Sequence, residues 1–326
     1  MDFLLNADSA AHKFILMFLV MALFVIVMGA VLFAVDRPGL PRWVPLLGFL
    51  GPAALLVGFG LVYPAIMTIK NSFYDAALQE TVGFANYETV LTNSAFLIVL
   101  RNTALWVFLV PVLATGFGLV YAVLVDRTRF EKIAKALIFL PMAISMVSAA
   151  IIWRFVYEYK PAAAPQTGLA NQFLVWLGFD TQQFLLNPPW NTFFLIAVMV
   201  WIQAGFAMTI LSAAIKAIPD DIIEAAKLDG VTGVRMFRYV TLPSVRPAVV
   251  VVLTTIAMAT LKVFDIVYSM TGGQYQTSIV ANEFYTQSFN RYQQGIGATL
   301  AVLLFILVIP ILLYNVRQMR LSEEQR

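Results

Sequence analysis

Cysteine is absent from the 326 residues, so disulfides and thiolate metal sites are excluded. Histidine occurs once, as His12, and no Ser-His-Asp or Cys-His constellation can be built around it. A histidine-based metal site or proton relay would rest on that residue alone. None of the eight lysines follows a glycine, so the glycine-rich, lysine-tipped loop that cradles nucleotide phosphates is missing. An enzymatic reading has almost nothing to stand on, and a process driven by ATP would need another subunit to bind the nucleotide. Charge is scarce too, at 12% of residues against about a quarter in soluble domains. The net charge of +3 does not point to nucleic acid, because the basic residues sit in short loops between apolar runs. No internal repeat and no low-complexity tract occurs.

What the chain has is apolar length: 61% of it is hydrophobic, which marks a polytopic membrane protein made of one membrane domain plus loops. Residues 14–35 carry no charge over 22 positions, enough to cross a hydrocarbon core of about 30 Å. A secretory signal has a shorter apolar core and a small-residue cleavage site, so this run is expected to be a retained span. A turn at 36–45 holds Arg37 and Arg42. The second span, 46–68, contains Gly48, Gly51, Pro52, Gly58 and Gly60 for close or kinked packing. A polar stretch at 69–99 includes a short helix at FANYETVL. The third span is expected at 102–125, interrupted by Pro111, and the fourth at 136–157, broken at Pro141. Between them, the loop 126–135 carries Arg127, Arg129, Lys132 and Lys135. In the connection 158–191, PAAAP suggests an extended piece and NPPW a turn into the fifth span, 192–218. The sixth span is expected at 247–268 and the seventh at 295–316, with polar, aromatic residues between them.

Basic residues set an orientation. With the 126–135 loop and the 219–246 segment on one side, the 36–45 turn and the C-terminal tail fall on the same side. That side holds fourteen of the 21 Lys and Arg. Lys13, Lys70, Arg101, Arg154, Lys160 and Arg291 fall on the other, and Lys262 lies in a span. The positive-inside rule then makes the rich side cytoplasmic, the N-terminus external and the C-terminus internal.

The longest polar segment between two apolar ones in the second half of the chain is 219–243, PDDIIEAAKLDGVTGVRMFRYVTLP. Asp221 followed by Glu224 predicts a capping-box start. Ile222, Ile223, Ala226 and Leu228 give a partly apolar helix face, and Gly230 suits a helix stop. Thr232 is placed to cap a second short helix that Pro243 would end. The expectation is helix, turn, helix between two spans, either resting on the lipid surface or docking on a partner.

This stretch resembles the signature of permease subunits of binding-protein-dependent ABC importers. That signature is E-A-A, three residues, Gly, nine residues, an apolar residue, one more, then Leu-Pro. Glu224, Ala225, Ala226, Gly230, Val240, Leu242 and Pro243 keep every spacing. The resemblance extends over about 46–320 and looks like the carbohydrate-uptake branch, the maltose-type and especially the alpha-glucoside-type permeases. It is carried by GFANY at 83–87, RNT at 101–103, AKALIFLPMAIS at 134–145, IWRFVY at 152–157, AIPDD at 217–221 and KVFDIVY at 262–268. After this last run the family often reads T-x-G-G-P or T-G-G-G-P, whereas this chain has Thr271-Gly272-Gly273-Gln274-Tyr275.

The resemblance implies an all-α, polytopic protein of the type I ABC importer permease fold. It would have a six-span core plus one N-terminal span. The domains would be 1–45 (extra span and turn), 46–320 (permease, with a coupling helix within 219–243) and 321–326 (cytoplasmic tail). It implies a second permease subunit, two ATP-binding subunits that hold ATP and magnesium, and an extracytoplasmic solute-binding protein. The cargo would be an oligosaccharide such as maltose or trehalose, moved across the lipid bilayer, with no cofactor in this chain and no nucleic acid. Coupling to the ATPase would fall on Glu224, Ala225, Ala226, Asp229, Gly230, Leu242 and Pro243. Small alanines permit close approach, and Glu224 offers a charge for a basic partner.

By position, the maltose-type cargo contacts fall on Ile202, Gln203 and Phe206 in the fifth span. In the sixth they fall on Ile256, Ala259, Thr260 and Val263. Gln203, Phe206 and Thr260 suit a sugar, which has polar edges and an apolar face; the aliphatic positions would shape the cavity. Two readings stay open for each of the first two: Phe206 as helix packing, Gln203 as an interhelical hydrogen bond. Lys262 and Asp265, three apart on one expected helix, read as a mutual ion pair, with a functional role as the alternative. Arg101 and Arg154 read as snorkelling residues at the outer boundary. The aromatics Phe264, Tyr268, Tyr275, Phe284 and Tyr285 read as an interface belt. Three rivals remain. The same machine could carry a polyol, glycerol-phosphate or other small solute. An ion-coupled secondary transporter would show an inverted repeat and titratable groups in several spans. A membrane scaffold would leave the signature unexplained.

Overall fold

The computed structural model describes residues 10–35, 41, 43–126, 128–161 and 163–324. Arg37, Arg42, Arg127 and most of the 36–45 turn lie outside the described residues. The described chain is helical, with one isolated bridge between Tyr74 and Thr81. Among the described residues, six helices are long and apolar enough to cross a membrane, and a bent pair makes a seventh crossing if it counts as one span. The chain divides into two compact units at Met67 and Thr68.

The first unit holds α1 (Ala10–Val35) and α2 (Trp43–Val57), then a π-helical turn, Gly58–Val62. α1 is apolar on all faces, as a span facing lipid must be. After this turn the chain is helical again in α3 (Tyr63–Asn71).

The second unit is built on α5 (Ser94–Val125), preceded by α4 (Ala85–Thr92). α5 begins eight residues before the expected third span. The Asn93 carboxamide accepts a hydrogen bond from the Ala95 amide at 2.9 Å and caps the helix there. Pro111 does not interrupt it, contrary to expectation; the helix carries the proline in its interior, which transmembrane helices tolerate when neighbours re-satisfy the freed carbonyl. The fourth expected span is a corner. α6 (Glu131–Phe139) leads through a 3-10 turn, Leu140–Ala143, into α7 (Met146–Val156), with a bend of 102°. Pro141 sits in the turn, and Ser145 caps α7 by accepting from the Ser148 amide at 3.1 Å.

The connection to the next span is not extended at its proline-rich start. Ala164 N donates to the Pro161 carbonyl at 2.9 Å, and the Gln166 side chain closes back on the Lys160 carbonyl at 3.0 Å, which makes a turn. α8 (Leu169–Trp176) follows, and α9 (Trp190–Lys216) starts at NPPW as the turn residues predict.

α5, α9 and α12 (Leu242–Leu261) share the core, in which Trp106, Val110, Leu195, Met199, Met208 and Ile256 are fully buried. α6 lies against α9. A Cβ on Gly205 would stand 2.5 Å from the Ile138 carbonyl oxygen and 3.0 Å from Phe139 Cα, so glycine is what allows the two backbones to touch.

The sixth span ends earlier than expected. α12 stops at Leu261, and α13 (Asp265–Thr271) is a separate helix. Lys262 closes one helix and Asp265 opens the next, so they do not share a face, and no ion pair joins them among the described residues. α14 (Val280–Tyr285), a π turn at Thr286–Asn290 and α15 (Gln294–Glu324) follow.

Candidate functional site

The segment 219–243 stands between α9 and α12. α10 (Asp220–Leu228) begins two residues earlier than a capping box at Asp221 would place it. Asp221 is inside the helix, its carboxylate accepts from the adjacent Ile222 amide at 3.0 Å, and the cap position is Pro219, which has no side-chain acceptor. The predicted capping box is therefore not formed. The predicted stop is. Gly230 has φ of +78°, its amide donates to the Lys227 carbonyl at 3.0 Å, and Val231 N donates to the Ala226 carbonyl at 2.9 Å. These two bonds make a Schellman closure, which needs a left-handed residue at Gly230.

After the turn, α11 (Gly233–Met236) does not end at Pro243. It runs through a π turn, Phe237–Thr241, straight into α12, giving one helical span from Gly233 to Leu261. The physical reason is the hydrogen-bond pattern. The Leu242 amide reaches back five residues to the Phe237 carbonyl, and the wider turn accommodates Pro243, which has no amide to give.

The resulting surface is apolar and unpartnered in places where an isolated helix would be polar. Leu228 is 89% exposed and Val234 81%, with Tyr239 also exposed. Glu224, Ala225 and Asp229 are exposed, Leu242 and Pro243 lie at the surface, and Ala226 is buried under the helix. Glu224 has no ion-pair partner among the described residues. A cleft of about 300 Å³ runs beside Pro219, lined by Ile218, Ile222, Val245 and Pro247 among others.

The second set of candidates lies inside the spans. Ile202, Gln203 and Phe206 on α9 and Ile256, Ala259 and Thr260 on α12 come from helices that pack on each other; Val263 follows α12 directly. Ile202, Ile256, Thr260 and Val263 are buried within this chain, whereas Phe206 and Ala259 are half-buried. Thr260 donates its hydroxyl to the Ile256 carbonyl at 2.7 Å, within its own helix. Gln203 is 9% exposed and its carboxamide makes no protein hydrogen bond among the described residues, yet its polar atoms are not among those fully enclosed without a partner, so the amide keeps some access to its surroundings.

Two clusters were not foreseen from sequence. Asn102, in the RNT motif, donates to the carbonyls of Gln276 at 2.6 Å and Ser278 at 3.1 Å. Asn191 donates to the Tyr275 carbonyl at 2.8 Å, and Thr103 accepts the Val280 amide at 2.9 Å. These contacts hold the loop between α13 and α14, where Tyr275 and Gln276 both adopt positive φ. Asn86 of GFANY plays a similar part, donating to the carbonyls of Ser72 and Tyr74. The other cluster joins Asp126, Glu131, Lys135, Ser212 and Lys216. The i,i+4 pair Glu131–Lys135, at 2.9 Å, was available in the sequence as a signal; the reach to α9 was not.

The aromatics read as a belt form a contiguous group in part. Phe264 stacks on Tyr268 with centroids 4.8 Å apart, and Tyr285 packs on both, while Phe284 joins the group through Phe289, which packs on Tyr285. Arg101 is exposed and donates to the Asn102 carboxamide oxygen at 3.2 Å. Arg154 is exposed on α7.

This arrangement, an exposed apolar helix-turn-helix set between spans that share one core, has a match among known families. Residues 114–320 fit the family described as binding-protein-dependent transport system inner membrane component. The chain belongs to that family: it is the membrane-embedded permease component of an ABC importer. It is 43% identical over 278 residues to the osmoprotective compounds uptake permease protein GgtC of Synechocystis sp., covering 85% of this chain and 100% of that protein. It is 44% identical over 270 residues to the alpha-glucoside transport system permease protein AglF of Rhizobium meliloti, covering 82% of this chain and 80% of that one. A chain in the crystal structure of the bacterial alginate ABC transporter, in complex with alginate pentasaccharide-bound periplasmic protein, shares its fold. The TM-score is 0.71 at 23% identity, over 83% of this chain and 92% of the other.

Proposed function

We propose that this permease imports an oligosaccharide, most specifically an alpha-glucoside such as maltose or trehalose. It works with a second permease subunit, two ATP-binding subunits that hold ATP and magnesium, and an extracytoplasmic solute-binding protein. ATP hydrolysis then belongs to the partner subunits, and this chain holds no cofactor. The N-terminus lies outside and the C-terminus in the cytoplasm.

The observation that carries the transport reading is the exposed coupling segment. Apolar side chains such as Leu228 and Val234 stand in solvent beside unpaired Glu224, which is the chemistry of a docking face. Glu224, Ala225, Asp229, Gly230, Leu242 and Pro243 meet the ATPase, while Ala226, buried in the segment, supports that face from beneath. Closure of the ATPase draws this segment inward, and the spans alternate between two global states with different cargo contacts. Gln203 is the cargo ligand of choice, since its carboxamide makes no protein hydrogen bond among the described residues and is not fully enclosed. Phe206 offers a ring face, and Ile202, Ile256, Ala259, Thr260 and Val263 shape the path around them.

The cargo assignment draws on the 44% identity to AglF. The 43% identity over the whole of GgtC favours a second reading, an osmoprotective solute carried by the same machine. ATP-driven uptake by the purified complex in proteoliposomes, against a panel of alpha-glucosides and osmoprotective compounds, decides between them. Uptake of neither class removes both readings of the cargo.

A further inference from the structure

α6 is fastened along α9 at three levels. At one end, Lys216 of α9 pairs with Glu131 at the start of α6. One turn further, Lys135 pairs with Glu131 at 2.9 Å and reaches both Asp126, the residue that caps α5, and Ser212 of α9. Ser212 in turn donates to Asp126 at 2.7 Å. At the other end the two backbones touch through Gly205. The Asp126 side chain is only 6% exposed, and its second carboxylate oxygen is buried with no hydrogen bond among the described residues. It therefore depends on Lys135 for compensation of its charge, and a buried carboxylate deprived of its cation is costly.

Placement gives this network its meaning. Only Ala217, Ile218 and Pro219 separate Lys216 from α10, the exposed helix of the coupling segment. Beyond its corner α6 continues into α7, whose buried Ala149 and Ala150 lie on a helix that packs against α13 at the far end of α12. Resting on the ATP-driven reading above, we propose that the cluster of Asp126, Glu131, Lys135, Ser212 and Lys216 is a strut. It makes α6 move as one body with α9, so that displacement of the coupling helix reaches the α6–α7 corner as well as the long spans. These are positioning residues: they touch neither cargo nor nucleotide.

The absence of cysteine makes the test direct. In the complete complex, spin labels on Ile133→Cys of α6 and Ala213→Cys of α9, both exposed positions, report the distance between the helices by pulsed electron resonance. The wild-type distance is expected to stay constant between the nucleotide-free and vanadate-trapped states, and to broaden or shift in Lys135→Met. In unlabelled proteoliposomes, Lys135→Met is expected to lower cargo moved per ATP hydrolysed about tenfold while hydrolysis continues. Lys135→Arg and the exchanged pair Asp126→Lys with Lys135→Asp should recover most of it. If Lys135→Met fails to assemble, Lys216→Met decides, since that side chain is 47% exposed and at the edge of the cluster. A wild-type distance that changes on trapping overturns the strut, as does an unchanged cargo-to-ATP ratio in the lysine variants. A wild-type complex with no ATP-driven uptake overturns the functional reading itself, and is recognised by that control before any variant is compared.

Discussion

The proposed coupling segment and the proposed cargo positions inside the spans are both held by α9 and α12, yet they are opposite kinds of site. The first keeps its chemistry on the surface: Leu228, Val234 and Glu224 reach outward from a scaffold closed by Gly230. The second keeps its chemistry inside: Ile202, Ile256, Thr260 and Val263 are buried against other parts of the same chain, and the Gln203 carboxamide has no protein hydrogen bond among the described residues. A docking surface can be complete in one subunit. A path for a polar solute through a hydrophobic core has to be opened, by motion or by the proposed second permease, before its polar groups are useful.

The sharpest break of this comparison is Glu224→Lys. If the surface residue meets a basic partner, inverting its charge should lower uptake by about a hundredfold or more, with membrane insertion unchanged on an immunoblot of the membrane fraction. Normal uptake would remove the coupling role. Gly230→Val comes next. A left-handed conformation costs a side-chain-bearing residue ~1–2 kcal/mol, so uptake should fall about tenfold, and Gly230→Asn should recover much of it because asparagine tolerates that conformation. Equal effects of valine and asparagine would show that the Schellman closure is not what matters there. For the buried site, Gln203→Ala should shift the KM for cargo about three- to tenfold, the scale of one lost hydrogen bond, while assembly with the partners persists. Unchanged transport across a sugar panel takes Gln203 out of the path. The smallest effect is expected from Lys262→Met combined with Asp265→Asn. Because the helix ends between them, the double-mutant cycle in thermal stability of the complex should give a coupling energy below about 0.5 kcal/mol. A value several times larger would restore the ion pair expected from their spacing.

The same contrast explains what could be read from the sequence. Span existence was legible because runs such as residues 14–35 have no other physical use. Gly230 was legible because glycine is favoured where φ is positive. Proline was misread in more than one place. Pro111 and Pro243 look like breaks in a one-dimensional reading, but Pro111 lies inside a continuous helix and Pro243 follows a π turn that leads straight into α12. The end of α12 at Leu261 was hidden because Val263 and Phe264 are as apolar as the span before them. The Asp126–Lys135–Ser212 cluster was invisible for another reason: Ser212 lies 86 residues from Asp126, and nothing local to either predicts the contact. Within the spans, helices that are apolar on every face give no phase from which to tell core from lipid, so the burial of Ile202 and Ile256 had to come from the structure.

The π turn at Phe237–Thr241 has one more consequence. An α-helix advances about 100° around its axis per residue, so the extra residue in that turn sets the compass bearing of everything on its far side. α12 is locked to the core by Val252 and Ile256, and the direction in which the exposed turn around Gly230 faces is read off from there through Phe237–Thr241. Length in this segment is therefore a matter of azimuth. A chain one residue shorter at this point would present the same docking face, intact, to a different quarter of the surroundings.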